Sequence, residues 1–423
     1  MTTPGFVRLR PVEGPGFFPR QTGTPRTRSA AARSVPPSLS LRAWQEDAIS
    51  VYLESQPKDF MVSSTPGVGK KFMTLALANH LLASRIVEKI IVVCALEYRC
   101  IGWMESASTW GLNLDSDYRL EQGRPRHGID GVIVTYEHVA NNAQDFKELV
   151  QTRKTLVVFD EVHHIEHVES LRRTHAHAFN GATRRIALRC SPHYFAGGRD
   201  EYAILPPFDG AEDTVEYTYS YGEALRDGVV RPITFIAPRD HEVLNDDQEL
   251  PIPASSGPTK DSPSEIDPKG RWILKACIQA NEALKELRKR VPAAAGLIIA
   301  HDSCAARLYG ARIGSLTGTR PTLLLDEDPK LVSKISAFNT TQDPWVVATP
   351  IVAQSMDIPR LQVGLYATHN SSPLYFSQVV GRFARARGIP TEAFLYLPPV
   401  REVLTMALRV VTHEGADGTD SAD

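Results

Sequence analysis

Cysteine is sparse: Cys94, Cys100, Cys190, Cys277 and Cys304 are the five among 423 residues, and no two stand in a CxxC pair or at another metal-ligand spacing. That excludes a zinc finger and a disulfide framework, and it fits reduced thiols in a cytoplasmic protein. Long apolar runs are missing too. No stretch approaches the roughly 18 residues of a membrane span, and the N-terminus has no apolar core of a secretory signal. Nor does one sign of charge dominate: 47 Lys and Arg stand against 49 Asp and Glu, a formal net charge of −2. Bulk charge therefore neither requires nor forbids nucleic acid, and any basic surface has to be local. There is no nuclease signature and no internal sequence repeat.

What is present organises the chain into domains. At 423 residues it exceeds one ordinary domain, and two or three are expected. Residues 1–38 are rich in proline and set Arg8, Arg10, Arg20, Arg26, Arg28 and Arg33 against the single acid Glu13. This composition predicts a disordered basic tail, either a solvated extension or an arm that meets phosphates. From 39 to 228, strand-like runs at Phe60–Ser63, Ile90–Cys94, Val132–Tyr136, Leu156–Asp160 and Ile186–Leu188 alternate with helical stretches. A second series, Gly296–Ala300, Thr322–Leu325, Trp345–Thr349, Val363–Thr368 and Ala393–Leu397, fills 229 to 400. Alternating strands and helices imply α/β units with parallel sheets flanked by helices, here two in tandem. A polar loop is expected at about 240–269, and residues 401–423 read as a C-terminal helix followed by an acidic tail.

Two segments carry chemistry. Thr155 to His164, Thr-Leu-Val-Val-Phe-Asp-Glu-Val-His-His, is an apolar run of the kind found in a central parallel strand, and it ends in adjacent carboxylates where such sheets bind ligands. One carboxylate can hold Mg²⁺ and the next can activate water. Upstream, Ser64-Thr65-Pro66-Gly67-Val68-Gly69-Lys70 follows a short apolar strand and opens a helical pattern. Strand, glycine-rich turn, Lys and helix together make a phosphate loop, in which backbone N–H groups surround phosphates and Lys70 reaches the terminal ones. Near the far end, Gln378-Val-Val-Gly381-Arg382-Phe-Ala-Arg385 would put Gln378, Arg382 and Arg385 on one face if all were helical.

In this order the three segments resemble the motifs of superfamily 2 helicases and translocases, in the DEAD/DEAH-like branch. Other pieces fall in sequence: Leu41 to Gln45 resembles the motif whose Gln reads adenine, and Val134-Thr135-Tyr136 a nucleic-acid-contacting motif. Ile186 to Pro192 resembles a coupling motif, Tyr221 to Pro232 a crossover into the second domain, and Asp357-Ile358-Pro359 a motif that touches both ATP and nucleic acid. The resemblance implies two RecA-like domains closing on ATP. It implies Thr65, Gly67, Gly69, Lys70, Gln45 and Asp357 as cofactor contacts, Asp160 on Mg²⁺ and Glu161 on the attacking water. Arg385, aided by Arg382, would be an arginine finger from the second lobe, with Gln378 beside them in the catalytic set.

The implied activity is an ATP-dependent helicase or translocase, on DNA rather than RNA because the pattern is closer to the restriction-enzyme-like branch. A protein partner could supply specificity. The alternatives are a degenerate relative that binds nucleotide and nucleic acid with weak or no hydrolysis, and an ATPase subunit of a restriction or defence complex. The departures matter here. The family loop ends Gly-Lys-Thr or Gly-Lys-Ser, whereas this one is Gly69-Lys70-Lys71: a cation replaces the hydroxyl that usually meets Mg²⁺. Arg189-Cys190-Ser191-Pro192 and Ala353 to Asp357 also deviate. His163 is expected to bridge toward the second lobe, His175 and His177 to lie at the surface, and Trp103, Trp110 and Trp272 to serve packing.

Overall fold

A computed structural model describes residues 6–9, 40–95, 97–116, 118, 128–162, 165, 169–190, 214–238, 266–267, 270–385 and 391–412. They form two units, each with its own seven-stranded sheet.

In the first unit the strands are β2 (Asp59–Ser64), β3 (Lys89–Cys94), β4 (Leu114–Asp115), β5 (Gly131–Thr135), β6 (Thr155–Asp160), β7 (Arg184–Cys190) and β8 (Thr214–Tyr219). They run parallel in the order β4-β5-β3-β6-β7-β2-β8. Every residue of β2 and β6 is buried, as continuous apolar runs covered on both faces require. The order has a consequence for binding. From β2 the chain crosses past β7 and β6 to reach β3, and the onward connections of the adjacent strands β3 and β6 then run in opposite directions, so the crevice at their carboxyl ends is where open α/β sheets take ligands. At the opposite ends of β2 and β7, Arg185 grips Asp59 with both arms of its guanidinium, Nε to Oδ1 at 2.5 Å and Nη2 to Oδ2 at 2.6 Å, both side chains buried. A buried, bidentate pair of this kind holds the two strands in register.

Three helices of this unit matter below: α1 (Ala43–Ser55), α2 (Lys70–Ala83) and α3 (Glu97–Thr109). Helix α2 turns Met73, Leu77, Ala78 and Leu81 into the core and leaves Phe72 exposed.

The second unit contains β9 (Ile233–Pro238), β10 (Ala295–Ile299), β11 (Thr322–Leu324), β12 (Trp345–Ala348), β13 (Leu361–Tyr366) and β14 (Ala393–Tyr396), joined by β1 (Phe6–Leu9). The order is β1-β9-β14-β13-β10-β12-β11, all parallel except β1, which pairs antiparallel with β9. Gly296 on β10 lies under Trp345 of β12: a Cβ there would stand 2.3 Å from the indole ring. The indole N–H of Trp345 donates to Asn281 Oδ1 at 3.2 Å, tying a helix to the sheet.

All ten strand-like runs of the sequence are strands, with ends displaced by a residue or two. Tyr136 instead starts the helix Tyr136–Asn141, with Thr135 as its N-cap accepting the His138 N–H. Four strands among the described residues lay outside the expected set, β1, β4, β8 and β9. A further correction concerns the tail: Phe6–Leu9 is not disordered but an edge strand, paired antiparallel through its backbone with the flank of β9. The remaining tail residues, most of the 240–269 segment and the acidic end lie outside the described residues. Besides β1, the second unit takes in the helix Tyr221–Arg226 ahead of β9. A helix, Arg401–Thr412, closes the described chain.

Candidate functional site

The phosphate-loop segment joins β2 to α2. Gly67 and Gly69 have φ of +86° and +100°, backbone that a side chain strains, and Gly69 is the N-cap of α2. Space matters as well as φ: a Cβ on Gly69 would lie 2.9 Å from Gln45 Nε2. Gln45, at the start of α1, donates from Nε2 to Gly69 O at 2.9 Å and accepts the Arg42 N–H on Oε1 at 2.9 Å. Arg42 Nη1 in turn donates to Val68 O at 2.8 Å. The glutamine is therefore a strut under the loop. Lys70 Nζ donates to Ser64 O at 2.9 Å, folded back into the turn. Thr65 is buried, its N–H bonded to Tyr219 O at 3.1 Å, and its hydroxyl has no hydrogen-bond partner among the described residues.

The carboxylates stand at the end of β6. Asp160 is buried, and its backbone carbonyl accepts the Tyr136 hydroxyl at 3.0 Å. Its Oδ2 accepts the Trp103 indole N–H at 2.9 Å and lies 3.6 Å from Arg99 Nη1. The other arm of Arg99 reaches Glu161, Nη2 to Oε1 at 3.6 Å. Glu161 has φ of +55°, a left-handed conformation that costs an L residue about 1–2 kcal/mol. Lys71 Nζ lies over the Trp103 ring, 5.5 Å from its centroid, and 3.2 Å from where a Cβ of Gly102 would stand. Arg99, Gly102 and Trp103 share one face of α3 at spacings of three and four, so this helix lays a cationic and indole cover over the strand end. Beneath it, burial pushes the Cys94 thiol well up, whereas the hydrogen bond from Cys94 holds Cys100 below its ordinary value.

The sequence left Arg99 unmarked and read Trp103 only as packing. One histidine expectation also changes. His177 is exposed, but His175 is fully buried, with Nδ1 2.7 Å from Leu171 O, Nε2 3.0 Å from Tyr136 O and its ring edge-on to Tyr136. The apolar face of its helix carries it inward. His163, Ser191 and Pro192 lie outside the described residues.

The donor set at Asp160 does not fit Mg²⁺. This ion demands oxygen ligands in near-octahedral array and dehydrates reluctantly. Here the hydroxyl at position 71 is an ammonium, and Asp160 Oδ2 already carries an indole N–H with a guanidinium beside it. Among the described residues, no group of three or more His, Cys, Asp and Glu side chains is placed to hold a metal.

In the second unit, Gln378 and Arg382 lie on the helix Pro373–Phe383, and both are buried rather than solvated. Gln354 Nε2 donates to Gln378 Oε1, and Arg382 Nη2 donates to Gln354 O. Arg385 does not share their face, because the helix stops at Phe383 and Arg385 forms a β-bridge with Val230. Arg231 fixes this exit: its N–H donates to Ala384 O at 2.7 Å and its Nε to Arg385 O at 2.7 Å. Arg385 Nη1 pairs with Asp357 Oδ1, whose side chain is largely exposed. Gln378, Arg382, Arg385 and Asp357 thus form one neighbourhood through Gln354 and the Arg385–Asp357 pair.

The type III restriction enzyme res subunit family matches residues 38–189. The chain is 35% identical over 409 residues to Uncharacterized protein ML1624 of Mycobacterium leprae, covering 92% of this chain and 67% of that protein. It is 36% identical over 376 residues to Uncharacterized protein Rv2917 of Mycobacterium tuberculosis, covering 87% and 62%. The chain therefore spans between 62% and 67% of the length of these relatives. Among solved structures, the helicase MrfA bound to DNA matches with a TM-score of 0.58 at 15% identity, over 93% of this chain and 53% of that one. Dbp5 of S. cerevisiae bound to RNA matches at 0.57 and 14%, over 88% and 87%. At these identities the likeness is one of fold, two RecA-like domains. By sequence the chain belongs to the family of the mycobacterial protein ML1624, and its two RecA-like domains have the fold of the superfamily 2 helicases.

Proposed function

We propose that the chain is an ATP-dependent translocase of helicase type acting on DNA, in which nucleotide binding sets the grip on a strand and turnover is slow. The observation that carries this reading is the convergence, at the carboxyl ends of β2 and β6, of a glycine turn opening a helix and a carboxylate pair. In this reading Thr65, Gly67, Gly69 and Lys70 surround the phosphates, with Lys70 leaving Ser64 O to meet them. Gln45 holds the loop in shape and faces the adenine side. Glu161 orients the attacking water, while Gln378, Arg382, Arg385 and Asp357 form the second lobe's contribution, with Arg385 as the finger. Mg²⁺ is the usual partner of nucleotide in this superfamily, where it neutralises phosphate charge. Asp160, the residue that would hold it, is instead engaged by Trp103 and Arg99.

DNA is favoured over RNA by the restriction-enzyme family match across the first unit and by MrfA, whose structure holds DNA. The same match favours a second reading, an ATPase subunit whose partner supplies sequence specificity. Phosphate release with no nucleic acid, single- and double-stranded DNA, and RNA tests the proposal. Stimulation by DNA above RNA is expected. Turnover that no nucleic acid changes rejects the translocase reading.

A further inference from the structure

The mismatch between the Asp160 shell and a divalent ion has its own logic. In a phosphate-loop site, a doubly charged cation offsets the negative charge of the phosphates and of the strand-end carboxylates. This chain places two single positive charges in the same neighbourhood. Arg99 spans both carboxylates, 3.6 Å from Asp160 Oδ2 and 3.6 Å from Glu161 Oε1. Lys71 occupies the loop position of the metal-binding hydroxyl and lies against the indole whose N–H occupies Asp160. Gly102 leaves space beside the ammonium: a Cβ there would be 3.2 Å from Nζ and would push it aside by a few tenths of an ångström. The substitution at 71 is therefore one part of a fitted set of four, Lys71 with Arg99, Gly102 and Trp103, rather than an isolated loss.

Electrostatics decide what such a set selects. Two fixed monovalent cations offset the charges of Asp160 and Glu161 without a hydration shell to strip, so the strand end no longer presents the net negative charge that draws a divalent ion out of water. A metal-bound nucleotide brings its ion to this strand end; a bare polyphosphate does not.

We infer that the first unit binds nucleoside triphosphate free of divalent metal, with Lys71 and Arg99 in the place of the ion. The inference rests on the nucleotide-binding reading above and deepens it by naming the ionic form of the ligand. It also gives a physical reason for slow turnover, because the two side chains hold charge without the coordination geometry an ion imposes on the reacting phosphate.

The test is binding. ATP is titrated into the intact protein by calorimetry, in EDTA and in excess Mg²⁺. The expected affinity in EDTA is equal to that in Mg²⁺ within about threefold, or tighter. A second arm uses Mn²⁺ and electron paramagnetic resonance: with ATP present, the wild type should show no protein-bound Mn²⁺ beyond the nucleotide complex in buffer. The Lys71→Thr/Arg99→Ala double variant should gain a bound signal, and its ATP affinity should rise about tenfold or more on adding Mg²⁺. A wild type that loses about tenfold in affinity in EDTA, or that shows bound Mn²⁺, overturns the metal-free site while leaving nucleotide binding in place. A wild type that binds ATP under neither condition overturns both. If the double variant does not fold, the wild-type arms decide alone.

Discussion

The indole N–H of Trp103 donates to Oδ2 of Asp160 at 2.9 Å, joining the middle of α3 to the end of the central strand β6. Both groups are buried, so the bond is made away from water, where an unmade one is expensive. Trp103→Phe keeps most of the ring and removes the donor. It should lower unfolding stability by about 1–3 kcal/mol. Urea denaturation of wild type and variant measures this, and an unchanged midpoint at equal slope would show that Arg99 alone satisfies the carboxylate.

Glu161 separates function from stability because its side chain and its backbone make different demands. Glu161→Gln keeps the left-handed backbone, so stability should hold while hydrolysis falls by about 10² or more. Glu161→Gly relieves the φ of +55° and should raise stability by about 1 kcal/mol while losing the same activity. Thermal melts paired with phosphate release check both halves. A glycine variant less stable than the glutamine variant would mean that no strain resides there.

Arg385 pairs with an Asp357 side chain that is 69% exposed, and such surface pairs are worth about 0–1 kcal/mol. Arg385→Ala should therefore leave stability within about 1 kcal/mol of wild type. As a finger it should cost about 10³ or more in turnover while ATP affinity changes far less. Loss of affinity alone would make it a binding contact. Arg231→Ala, which frees the Arg385 carbonyl, should reduce turnover in the same direction without touching nucleotide.

His175 should make stability depend on pH. Burial lowers its pKa from 6.5, and it outweighs the opposite pull of the two carbonyl oxygens at its ring nitrogens. The folded state thus binds the proton less readily than the unfolded chain. The contribution is complete above pH 6.5 and is lost as pH falls from there through the lowered folded value. Denaturation midpoints of wild type should drop across that window, and those of His175→Gln should drop less. Parallel profiles would show that other groups govern the acid limb.

What the sequence makes legible follows from distance along the chain. The phosphate loop and the Asp160-Glu161 pair are local signals, each a strand and its next turn, and most central strands of both sheets are readable as apolar runs, β9 being the exception. β8 escaped because Thr214–Tyr219 alternates polar and apolar residues at the edge of its sheet, and β4 because it has two residues. Trp103 and Arg99 come from a separate helix, and nothing in their own neighbourhood shows that they will meet a carboxylate 57 positions away. The placement of Arg385 failed for a similar reason. A helical projection cannot see that Val230 captures the backbone at that point and ends the helix.

The strand Phe6–Leu9 belongs to the sheet of the second unit, although it precedes the whole first sheet along the chain. Its partner β9 is synthesised more than two hundred residues later, with the whole first sheet in between, so this pairing closes a long loop and should be among the last to form. Until then β9 presents an open flank of N–H and C=O groups, a hazard that a fragment beginning at Tyr221 would carry permanently. The same flank could accept residues 6–9 from a neighbouring copy. A pool of chains refolding at high concentration should therefore exchange this strand between molecules, whereas chains emerging singly from the ribosome close it on themselves.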